Sequence, residues 1–160
     1  MDHTSCDVQP MTNPNIKSIH DAISEACKPA GFSKKGENWY ANRIETILII
    51  NPQKSNYGQK YYLNLGAYFK MLGTKQAPKE SECHLRARIS QFVEEEAVEK
   101  IFDFDQPIST LDRHNEIVKL LRDEGLPFLE MCSSLQGVRD AFARNQLDSF
   151  SLLRSLKEQL

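Results

Sequence analysis

No apolar run in this chain is longer than Ile47-Leu48-Ile49-Ile50. A helix that spans a bilayer needs about 20 such residues, so no membrane-spanning segment is expected. Cysteine is sparse and scattered. Cys6, Cys27, Cys83 and Cys132 lie far apart with no CxxC pair, which removes the spacings of a zinc knuckle and of a redox dithiol. They are read as reduced thiols, three of them in segments that look buried. Charge of either sign is not in excess, with a net of −2, and bulk attraction to nucleic acid is absent. Met1 to Asn15 is polar and has no apolar stretch of the kind a secretory signal carries. The expectation is a cytoplasmic protein without a membrane partner. Neither G-x-S-x-G nor HExxH occurs. Gly31 and Gly36 have the glycine spacing of a phosphate loop, but Glu37 and Asn38 stand where lysine and serine are needed.

What remains is the make-up of an ordinary folded domain. The 160 residues are 40% hydrophobic and 26% charged, and a chain of this length buries roughly 70% of its unfolded surface. Charge is uneven along it. Residues 1–80 carry 10 Lys/Arg against 7 Asp/Glu, and residues 81–160 carry 10 against 15. Two differently solvated faces account for this. A basic sheet surface that receives an acidic partner is the sharper alternative.

Residues 1–12 are expected as a flexible tail and 13–160 as one domain, strand-rich over 38–89 and helix-rich over 90–160. Asn13-Pro14 is a helix start, since asparagine accepts from free N–H groups and proline suits the first turn. Ile16, Ile19, Ile23, Ala26 and Cys27 then share one face, and Pro29 with Gly31 closes the helix. Strands are predicted over 38–41, 44–54, 60–69 and 83–89, with a hairpin turn at Ser55-Asn56-Tyr57-Gly58-Gln59. Alternation sends Tyr61, Leu63, Leu65 and Ala67 to one face and Tyr62, Asn64, Gly66 and Tyr68 to the other. Helices are predicted over 90–101, from Ser109 to a stop at Gly125, after Ser134, and over the last segment through Phe150, Leu153, Leu156 and Leu160. Strands grouped early and helices late predict an α+β fold, with an antiparallel sheet of about four strands and helices packed on one face.

Gly31-Phe32-Ser33-Lys34-Lys35-Gly36, Trp39-Tyr40, Gln53-Lys54-Ser55 and Asn64-Leu65-Gly66 follow one another in a distinctive order. Cys83-His84-Leu85-Arg86-Ala87-Arg88-Ile89 and Gly125-Leu126-Pro127-Phe128-Leu129-Glu130 come after them. This ordered set, across residues 16–145, resembles the domain-of-unknown-function family numbered 4304. Phe102 and Phe104 stand where that family often has a tryptophan pair. The resemblance implies a bacterial source and a fold, and it implies no activity.

For function, His84, Arg86 and Arg88 alternate along one strand, so their side chains are expected on a shared face. With Gln53 and Lys54 from a neighbouring strand they form a candidate cationic patch for a carboxylate or phosphate. The bland counterpart is a wet sheet face whose arginines pair with local acids such as Glu82. Asp103 and Asp105 make a poor cation site, and no catalytic residue, metal site or cofactor is predicted. Tyr57, Lys60, Tyr61, Tyr62 and Tyr68 resemble a stacking platform for single-stranded nucleic acid, yet hairpin tyrosines are commonly cross-strand packing residues, and nucleic acid is not the expected partner. Two functions stay open. One is a non-enzymatic protein-binding or immunity-like interaction module. The other is an enzyme or ligand-binding domain for a small anionic (phosphate or carboxylate) substrate at the arginine-bearing strand.

Overall fold

The computed structural model describes residues 13–160, and the expected tail, with His3 and Cys6, lies outside the described residues. Helix α1 (Pro14–Cys27) starts as its sequence requires: the Asn13 side chain accepts from the Asn15 N–H at 2.9 Å, and Pro14 opens the first turn. It buries Ile19, Ala22, Ile23, Ala26 and Cys27. A 3-10 turn then leads to Gly31 at φ 87°, in the left-handed region that glycine enters without strain.

Six strands follow in chain order across one antiparallel sheet: β1 (Ser33–Lys35), β2 (Asn38–Asn42), β3 (Thr46–Lys54), β4 (Tyr61–Phe69), β5 (Leu85–Arg88) and β6 (Ser151–Leu152). The fold is α+β as expected, and the sheet has six strands rather than about four. The two additional strands are the edges. β1 is three exposed residues with two lysines, and β6 is two residues inside a segment whose leucines suggested a helix. Short, polar or exposed edge strands discourage pairing with other chains, and they carry no period-2 hydrophobic signal.

The inner face presents Trp39, Leu48, Ile50, Leu63, Leu65, Phe69 and Leu85, all almost without solvent exposure. Each Leu or Ile buried in this way contributes about 1.5–3 kcal/mol. Helices α2 (Glu95–Phe102), α3 (Thr110–Leu120), α4 (Leu126–Met131), α5 (Leu135–Ala143) and α6 (Arg154–Lys157) follow, and one core joins their buried residues to the inner face. Ser109 and Ser134 cap α3 and α5, accepting from Asp112 and Gly137 N–H groups at 3.0 Å each. Three expectations are corrected here. The helix expected from Ser90 begins only at Glu95, because Ile89–Gln91 is a 3-10 turn. Gly125 does not stop α3: it has helical φ −66°, and a π-type turn over Leu121–Gly125 runs on into α4. What its missing Cβ permits is close packing, since a Cβ there would lie 3.2 Å from Leu121 Cδ2 and 3.3 Å from Ile89 Cδ1. The third helix over 150–160 shrinks to α6, with Phe150 instead packed on Phe92 and Phe128 at ring distances of 5.4 and 4.9 Å.

Arg113 is a buried feature with no sequence signal. Its guanidinium donates to the carbonyls of Lys100, Ile101, Asp103 and Gln106 and stacks on Phe104 at 4.2 Å. It thereby closes the C-terminus of α2 and fixes the turn that follows. Asp103 is buried in that turn, where its side chain accepts from the Asp105 N–H.

Candidate recognition face

The outer face of the sheet is divided. Toward one end, Ile47, Ile49, Tyr68 and Cys83 form a small apolar cluster with half-buried Tyr40. The segment 70–83 roofs it. Tyr40 donates to the Pro78 carbonyl at 3.0 Å, and Tyr68 accepts from the Lys75 N–H at 3.1 Å. Gly66 allows the roof to settle, for a Cβ there would meet Cys83 Sγ at 2.7 Å.

The other half is polar. Asn51 pairs with Asn64, and Asn64 with Arg88, in cross-strand register. Their side chains bond along the same line. Asn51 donates to Asn38 at 2.7 Å, Asn64 donates to Asn51 at 3.2 Å, and Arg88 Nε donates to Asn64 Oδ1 at 3.1 Å. Asn64 also donates to Gln53 at 2.9 Å. The row crosses β2, β3, β4 and β5. Asparagine is depleted in strands, and three in line on adjacent strands are tolerated because each satisfies the next.

The arginines of β5 meet different fates. Arg86 donates to both oxygens of Glu80 at 2.9 and 3.0 Å, a bidentate pair in which the Glu80 side chain is only 8% exposed. The bond to Glu80 pushes the Arg86 pKa up. The acid is thus Glu80 and not Glu82, which pairs with Lys75. Arg88 lies over the Tyr62 ring at 4.1 Å, and no carboxylate pairs with it among the described residues. Stacking and the Nε bond fix the guanidinium plane, while its two terminal nitrogens have no partner among the described residues.

Of the residues singled out in the sequence, Gln53, Arg86 and Arg88 come together here. His84 and Lys54 do not. His84 is buried where β5 begins, its Nδ1 accepting from the Phe69 N–H at 2.9 Å with Tyr68 packed on its ring. Desolvation lowers its pKa, and an accepting Nδ1 requires the neutral ring. Lys54 pairs with Tyr61, faces the other side of the sheet, and donates to the Gly58 carbonyl at 3.2 Å. The tyrosines do not form one platform: Tyr61 and Tyr68 are buried on opposite faces, Tyr57 is exposed, and Tyr62 lies under Arg88. The sequence reading missed Asn38, Asn51 and Asn64 as a row. Their i, i+13 spacing across three paired strands was the available signal.

Two open recesses flank the Arg86–Glu80 pair. One of about 470 Å³ runs along Asn38, Asn51, Gln53, Lys79 and Ser81. A smaller one of about 190 Å³ lies between Arg88, Gln91, Ser149 and Ser151. Cys27, Cys83 and Cys132 are buried, and desolvation raises all three thiol pKa values, that of Cys27 to about 12. They are protonated packing residues rather than thiolate nucleophiles. Among the described residues, no group of three His, Cys, Asp or Glu side chains is placed to hold a metal, and no helix is long and apolar enough to cross a membrane.

Comparison with curated proteins and with solved structures returned no match. The sequence model described as Domain of unknown function (DUF4304) matches residues 23–131. That span runs from the last turn of α1 through the first five strands and the π-turn between α3 and α4 to the end of α4, and the chain belongs to the DUF4304 family.

Proposed function

We propose that this domain is a non-enzymatic recognition module that holds a protein partner on the open half of its outer sheet face. The observation that carries the reading is the row Asn38–Asn51–Asn64–Arg88, a line of fixed amides and one guanidinium across four strands. Such a row offers oriented donors and acceptors on a pre-formed surface, so little ordering is spent on binding. The trough beside it is polar and open, as suits a protein surface better than an enclosed substrate. An immunity-like role is consistent with a chain of this size, by analogy alone. The second reading, a small anionic substrate at β5, draws on Arg88 only, because Arg86 is spent on Glu80 and His84 is buried with its Nδ1 bonded to the Phe69 N–H.

The test is capture of partners from native cells by the wild-type protein and by the double variant Gln53→Arg, Ser81→Arg, which alters two exposed positions of the trough. A stoichiometric protein retained by the wild type and lost at least tenfold by the variant is expected. The same protein should be retained by Lys17→Glu on the exposed side of α1. A partner indifferent to the trough, or none at all, defeats the reading.

A further inference from the structure

We infer that Arg88 anchors a carboxylate-binding site, in which its two terminal nitrogens take both oxygens of one Asp or Glu side chain of the partner. The inference rests on the recognition reading above and names the chemical group that enters the smaller recess. Three observations carry it. The guanidinium is pre-oriented: Asn64 Oδ1 holds its Nε at 3.1 Å, the Tyr62 ring lies 4.1 Å beneath its Cζ, and Gln91 Oε1 holds its backbone N–H at 2.8 Å. Its remaining donors form a planar fork of the geometry that matches a carboxylate, and they have no partner among the described residues.

The surroundings select the ligand. Ser149 and Ser151 line the recess, and their hydroxyls are uncommitted among the described residues; Gln91 ties its amide to the Ser149 carbonyl at 2.6 Å and so fixes that wall. Glu80 is the one acid lining the recess, and it neutralises Arg86 through two bonds. One positive charge is left over. A monoanion balances it, whereas a phosphate dianion leaves an excess of negative charge next to the buried Glu80 carboxylate. The volume of about 190 Å³ is below the roughly 300 Å³ at which pockets for whole small molecules begin. It admits a side-chain carboxylate presented from outside.

The test is an NMR titration of the full chain, following the arginine Nε–H resonances, with N-acetyl-glutamyl amide as the probe. The neutral glutaminyl analogue, sodium phosphate and sodium chloride serve as comparisons at matched ionic strength. The Arg88 resonance is expected to shift saturably with the glutamyl probe and not with its glutaminyl analogue. Arg88→Lys should weaken this binding at least tenfold although the charge is kept, and Ser149→Ala with Ser151→Ala should weaken it about threefold in a chain whose β5 is untouched. A response equal to that of chloride, or tighter binding of phosphate, overturns the assignment. A captured partner that is lost with the trough variant yet indifferent to Arg88→Lys sinks this inference and leaves the recognition reading standing. Saturable glutamyl binding with no partner dependent on the trough does the reverse.

Discussion

Arg113 and Arg88 are the same side chain in opposite circumstances. Arg113 is buried beneath the end of α2 with its donors spent on four backbone carbonyls, and it stacks on Phe104. Arg88 is exposed at the end of a polar row, stacks on Tyr62, and among the described residues has spent only its Nε and its backbone N–H. Arg86 stands between them, half exposed and committed to Glu80. A guanidinium whose terminal nitrogens are bonded to buried backbone carbonyls holds the fold. One held in place with donors to spare is available for something else. Sequence position separates none of the three.

Substitutions can break this ordering, beginning with the largest effect. Arg113→Met leaves several buried carbonyls without a donor and should remove on the order of 3 kcal/mol, or roughly 10 °C of melting temperature in a chain of this size. A thermal melt within 2 °C of the wild type would show that Arg113 is not the clamp of this turn. Arg86→Met strands the Glu80 carboxylate and should cost about 2 kcal/mol, discounted because the arginine is partly in solvent. Adding Glu80→Met should restore most of that loss in urea unfolding; additive losses would mean that the pair is not a unit.

Asn64→Ala removes the hub of the row and should cost about 1–2 kcal/mol, with disorder of the Arg88 side chain visible in its NMR line shape. An unchanged Arg88 would sharpen the contrast in another way, by leaving the Tyr62 stack as its only brace. His84, like Arg113, spends its polar atoms internally, and burial lowers its pKa and that of His20. Because the folded chain resists protonation that the unfolded chain accepts, this stability is complete above the unfolded value of 6.5 and declines as pH falls through the lowered folded values. Melting temperature should therefore drop from pH 7 toward pH 5, and His84→Gln should flatten the slope. Smallest of all, Arg88→Met should change stability by no more than about 0.5 kcal/mol, measured by the same melt. A larger loss would place Arg88 with the structural arginines.

Much of the frame was legible in the sequence. Asn13-Pro14, the alternation of Leu63, Leu65 and Ala67, and the serine caps at Ser109 and Ser134 each encode a local choice that packing did not override. The edges were not, because three exposed residues in β1 and two in β6 are held by pairing alone. Gly125 misled because glycine serves both as a helix stop and as a space-saver, and only the approach of Ile89 distinguishes the two. In the site, alternation put Arg86 and Arg88 on one side of β5, but the partner of each is decided in three dimensions. Glu80 reaches back from the roof segment, and Asn64 comes from the neighbouring strand. His84 follows the same alternation in sequence, yet it precedes the first strand residue, Leu85, and burial rather than pleat sets its direction.

The pairing of β5 with β6 joins Leu85 to Leu152 and Arg86 to Ser151, with residues 89–150 looped out between the two strands. It is the most non-local ladder in the sheet, and the entropy of closing so long an excursion is recovered only when the helices have packed. The wall formed by Ser149 and Ser151 therefore depends on the least local pairing in the sheet. If the recess takes an acidic group as inferred above, occupancy there and pairing of β6 form one linked equilibrium: the bound group would slow amide exchange around β6, and fraying of β6 would weaken the grip on that group by the same factor.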